Sequence, residues 1–84
     1  MPYQPTVLEI IDTLVSTFNL TESPDPEVSL EDWQDNQYAN CIDDLSKLPD
    51  FNTYDAEELV SDCLIDLEID PALDAEILIS IHNC

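Results

Sequence analysis

The side chains able to do chemistry are almost all of one kind: 20 Asp and Glu stand against one Lys or Arg and one His in 84 residues, a formal net charge of -19. The single lysine is Lys47, the single histidine is His82, and glycine is absent. No nucleophile and base pair, glycine-rich phosphate cradle or oxyanion nest can be assembled from such a set. The chain reads as a non-enzyme, and its chemistry is that of the carboxylate. Asp55, Glu58, Asp62 and Asp66 recur at three- and four-residue spacings. On a helix they fall within an arc of about 80°, and Asp70 extends the row. Like charges so spaced cost an isolated helix a few tenths of a kcal/mol per pair, so helix propensity does not account for them. Glu31, Asp32, Asp35, Asp43 and Asp44 form a second acidic face, and Glu22, Asp25 and Glu27 load the segment between.

Metal and cofactor chemistry fit less well. Asp66, Glu68 and Asp70 alternate as the first ligands of an EF-hand loop do, but Pro71 stands where that loop needs glycine. Ile77 stands where its bidentate Glu belongs, with Glu76 one place early. His82 with Cys84 is half a metal site without its other half, since Cys41 and Cys63 lie on apolar faces and read as buried small hydrophobes. Three widely spaced cysteines do not make a disulfide framework. Asp44, Leu45 and Ser46 sit near a helix end, in an order different from the Asp-Ser-Leu attachment motif of acyl carrier proteins. Neither a cofactor nor a bound metal is expected.

The elements that must position the acids follow from apolar spacing. Val7, Leu8, Ile10, Ile11, Leu14, Val15 and Phe18 paint one face of a first helix, with Thr6 and Glu9 as a capping box. Pro24 and Pro26 make residues 20–28 an extended linker. Ser29 and Asp32 start a second helix over roughly residues 30–47, with Leu30, Trp33, Gln37, Cys41, Leu45 and Leu48 along it and Pro49 as its stop. Asn52 or Thr53 caps a third, lined by Ala56, Leu59, Val60, Cys63, Leu64 and Leu67. Asp70 and Pro71 read as N-cap and first residue of a fourth, with Leu73, Ile77, Leu78 and Ile81 inward. Its β-branched run from Ile77 to Ile81 would otherwise be a strand with nothing to pair with. The spacing predicts an all-α compact bundle of about four short helices in one domain, residues 1–84.

Trp33 and Phe18 fall on apolar stripes as core anchors, whereas Tyr38 and Tyr54, beside acids, are candidate interface anchors; Tyr3 is less constrained. Leu, Ile, Val and Phe make up 25 of the 84 residues, above the roughly 20% below which highly charged chains stay unfolded. No run approaches the ~18 apolar residues of a membrane span and no secretory leader is visible, so a cytoplasmic location without membrane contact is expected.

An ordinary solvated helix mixes signs and gains ion pairs along its length; this chain forgoes nearly all of them. A carboxylate row near the ~7 Å repeat of phosphates along a DNA strand imitates a backbone, and two rows resemble two strands. In size, charge and lack of catalytic residues, the chain resembles the small phage and mobile-element inhibitors that mimic DNA, among them anti-CRISPR, anti-restriction and uracil-DNA glycosylase inhibitor proteins. The resemblance covers the whole chain by class and matches no family motif. It implies a basic nucleic-acid-binding protein as partner (a Cas effector, a restriction enzyme or another nuclease), no direct binding of nucleic acid, and blockade of the partner's substrate channel. A second resemblance, to nuclease immunity proteins, implies neutralisation of a basic toxin; their paired tyrosines followed by proline are absent, with Tyr54 standing alone after Thr53.

Self-repulsion at a net charge of -19 makes the fold dependent on salt. The thermal midpoint followed by circular dichroism at neutral pH should rise from low to near-molar NaCl; a midpoint indifferent to salt would show that repulsion does not limit stability.

Overall fold

The computed structural model describes residues 6–49 and 51–82; Tyr3 and Cys84 lie outside them. Four helices follow in order, α1 (Val7–Phe18), α2 (Leu30–Ser46), α3 (Thr53–Ile69) and α4 (Ala75–His82), with no strand among the described residues. The molecule is the expected all-α bundle.

Three of the four helix starts are those expected. The Thr6 hydroxyl accepts the Glu9 amide at 3.2 Å, the Ser29 hydroxyl that of Asp32 at 3.2 Å, and Asn52 Oδ1, rather than Thr53, that of Asp55 at 2.8 Å. Each removes one of the orphan donors of a helix N-terminus. The fourth start differs. Asp74, not Asp70, caps α4: its Oδ1 accepts the Ile77 amide at 2.9 Å, and its carbonyl accepts that of Leu78 at 3.0 Å. Asp70 leaves α3 with extended backbone (φ -140°, ψ 92°), and its carboxylate accepts the Ala72 amide at 3.1 Å. The carbonyl of Asp70 accepts the Leu73 amide at 3.2 Å, closing a turn. Aspartate followed by proline serves the first two positions of such a turn as well as a helix cap, which is why local sequence pointed to the wrong one.

The buried face of α4 also differs from the expected one. Ala75 and Leu78 are buried and Ile79 packs against the core, while Ile77 and Ile81, expected inward, are 44% and 52% exposed. On α2 the core stripe is Tyr38, Cys41, Ile42 and Leu45. Trp33, expected as a core anchor, lies about 120° around the helix from that stripe. It is half-buried and outside the packed set. Phe18 does pack on the core, and Leu8, at 43%, is exposed.

The buried cluster draws Ile10, Ile11 and Leu14 from α1, Cys41 and Leu45 from α2, Ala56, Val60, Cys63 and Leu67 from α3, and Ala75 and Leu78 from α4. The α2 and α4 helices each pack on both α1 and α3 and not on one another. Two polar contacts pin α2 to α1: Gln34 Nε2 donates to the Thr17 carbonyl at 3.0 Å, and the Cys41 thiol to that of Ile10 at 3.7 Å. The linker is held locally, the Glu27 amide donating to Asp25 Oδ1 at 3.0 Å and the Ser23 hydroxyl to the Asp25 carbonyl at 2.9 Å. The Cα radius of gyration is 12.8 Å, close to the ~12 Å of a compact chain this long.

Burial, with the negative charge of Asp44, pushes the Cys41 thiol up from the ordinary value near 9 to about 11. Burial, with Asp66 and Asp62, pushes Cys63 to about 12. Raised folded-state values mean that the neutral thiols favour the fold below the unfolded thiol pKa, and that this contribution is lost as pH rises toward 11 to 12. Both thiols should resist a thiol-specific reagent at pH 8 until denaturant is added, and stability should decline as pH climbs past 9. Fast native labelling at either position would contradict the burial.

Candidate functional site

Four α3 residues locked into the core, Ala56, Val60, Cys63 and Leu67, fix the rotation of that helix. The acidic row is thereby turned toward α1 and α4. Asp55 and Glu58 are exposed, while Asp62 and Asp66 are half-buried. Asp55, Glu58 and Asp62 form one wall of an open groove of about 560 Å³. Its floor is carbon: Val7 from α1, Phe51 before α3, Leu59 and Ile79, all packed against the core. His82 lines the groove from α4, and its Nε2 meets Asp66 Oδ2 at 2.5 Å, tying the last turn of α4 to α3.

Other acids lie elsewhere. No α2 residue lines the groove, so Glu31 and Asp35 take no part in it. Tyr38 packs on the core from α2, within reach of the charges of Asp35 and Glu68. Burial first, then the charges of Asp35, Cys41 and Glu68, raise the Tyr38 phenol. The row ends at Asp66, because Asp70 has left the helix and its carboxylate is engaged in the turn. Of the two tyrosines singled out as interface anchors, Tyr54 is 72% exposed whereas Tyr38 packs against the core.

Both side chains able to carry positive charge are engaged with carboxylates. Lys47 Nζ meets Asp43 Oδ2 at 3.0 Å, an exposed i,i+4 pair that raises the ammonium pKa through that hydrogen bond, and His82 holds Asp66. Among the described residues, no Lys or Arg lines the groove. Among the described residues, no group of three or more His, Cys, Asp or Glu is placed to hold a metal ion, and no helix is long and apolar enough to cross a membrane.

Sequence reasoning missed the groove's floor and the place of His82 beside it. Leu59 had a signal, standing beside the acid row at helical spacing; Val7, Phe51, Ile79 and His82 had none, since their meeting depends on how three helices pack. Also exposed are Ile65 at 55% and Ile69 at 78%, which continue the solvent face of α3. Comparison of the chain with known protein families, curated proteins and solved structures gives no match.

The tyrosines separate structure from surface. Tyr38→Ala should destabilise the fold by about 1–3 kcal/mol in urea titration, because it opens the α2–α3 seam, while Tyr54→Ala should leave stability within about 0.5 kcal/mol of the parent. Equal effects would refute this division.

Proposed function

We propose that this protein is a DNA-mimic inhibitor: it binds the basic nucleic-acid-binding surface of a host defence protein, of the anti-CRISPR or anti-restriction type, and blocks access of the substrate. The observation that carries this reading is a carboxylate row with no Lys or Arg against it, in which only Asp66 has a partner, the His82 ring. Asp55, Glu58 and Asp62 share one wall, the one lysine, Lys47, is held by Asp43, and the His82 ring is held by Asp66. Such a surface attracts Lys and Arg and repels nucleic acid. Over a Debye length of about 8 Å at physiological salt, the field speeds encounter with a basic partner; steering of this kind raises association rates about tenfold to a thousandfold. Binding rather than catalysis is the role that suits a site with carboxylates and no paired nucleophile.

Exposed Tyr54, Ile65 and Ile69 on α3 favour a second reading. Phosphate imitation needs only charge, whereas a dedicated partner also uses apolar anchors. An immunity or antitoxin protein neutralising a basic nuclease toxin would present the same acids together with such anchors.

The test is capture from host lysate with competition by duplex DNA. The protein should retain a nucleic-acid enzyme that duplex DNA and high salt displace, and the triple reversal Asp55→Lys, Glu58→Lys and Asp62→Lys should abolish capture while preserving the helical circular-dichroism spectrum. Retention of the same partner by the reversed variant would remove the α3 row as the contact, and a partner indifferent to DNA would shift the reading to immunity.

A further inference from the structure

We infer that the groove between α1, α3 and α4 receives a basic amphipathic peptide segment of the partner, with Arg or Lys heads on Asp55, Glu58 and Asp62 and an apolar side chain seated on Leu59 and Ile79. This rests on the reading above and narrows it: the contact is an insertion into a lined groove in addition to apposition of charged surfaces. A row that served only to imitate phosphates would need no carbon floor. Here the carboxylate wall borders half-buried Val7, Leu59 and Ile79, so whatever meets the acids also meets apolar surface.

Size and spacing select the occupant. The groove holds about 560 Å³, within the roughly 300–1,000 Å³ of sites that take several side chains' worth of ligand. From Asp55 to Asp62 the wall runs about 10 Å along the helix. One cation cannot bridge that length, and the described residues offer no metal-holding group. Same-face side chains of an extended segment lie about 7 Å apart, so a segment alternating basic and apolar residues on one face matches both wall and floor. Arginine suits the rim best: its stem lies along apolar surface while its head makes paired hydrogen bonds to carboxylate. With His82 held by Asp66, three acids on the wall and no Lys or Arg in the lining, the charge complementarity is to a cationic occupant.

Two fluorescein-labelled peptides of equal length and charge test this at physiological salt, one of Arg-Ser-Leu-Ser repeats and one with every Leu replaced by Ser. The leucine peptide should bind about tenfold tighter, as burial of part of a leucine provides. It should shift the methyl resonances of Val7, Leu59 and Ile79. The isosteric variant Asp55→Asn, Glu58→Gln, Asp62→Asn, which keeps the packing, should lose about tenfold or more in affinity for it. Equal binding of the two peptides without methyl shifts, or undiminished binding by the isosteric variant, would overturn the groove and leave the general acidic-surface reading standing. Failure of both peptides to bind would overturn both.

Discussion

Repulsion among 20 carboxylates, with one lysine and one histidine to offset it, is the constraint around which this fold is arranged. The buried cluster contains no charged residue, and Thr17, the one buried polar side chain among the described residues, donates to the Thr13 carbonyl at 2.8 Å. Acids at helix N-termini, Glu9, Glu31, Asp32, Asp55 and Glu76, sit where the helix dipole favours them. Acids near the C-terminal ends of α2 and α3 are disfavoured by the same dipole. The lysine and the histidine are found there: Lys47 against Asp43 at the end of α2, and the His82 ring against Asp66 in the last turns of α3. The one lysine thus stands where carboxylates cost most.

The absence of glycine sets a second condition. No described residue has positive φ, so these helices end without the left-handed residue that commonly closes one. Instead α1 ends at Asn19 and α2 at Lys47 in helical geometry, and α3 at Asp70 in extended geometry. Side chains finish the connections, Ser23 and Asp25 in the linker and Asp70 before α4. After the Asp70 turn, α4 runs from Ala75, with Ile79 and His82 lining the groove and Ile77 and Ile81 exposed.

In the proposed complex, charge and shape would divide the work of recognition. Exposed Asp55 and Glu58 would act at long range on a basic surface, whereas half-buried Asp62 and the carbon floor would act only on an occupant that enters. Long-range charge governs the rate of encounter; fit in a partly desolvated groove governs how long the complex lasts.

Residue types and their local spacing determined the four helices, three of their four caps and the acid row of α3, because caps and amphipathic faces depend on neighbours three or four residues away. Sequence likewise placed Cys41 and Cys63 on buried faces. Where one local signal serves two geometries, as at Asp70 and Pro71, the choice was made by packing: Leu73 docks on the core and the helix waits for Asp74. Tertiary structure alone decided that Trp33 stands off the core and Tyr38 on it, that Glu31 and Asp35 do not line the groove, and that Val7, Phe51, Ile79 and His82 do. Those outcomes depend on how far each helix is rotated and where it crosses its neighbours, quantities fixed by the sum of many weak apolar contacts across the whole core rather than by any spacing along the chain.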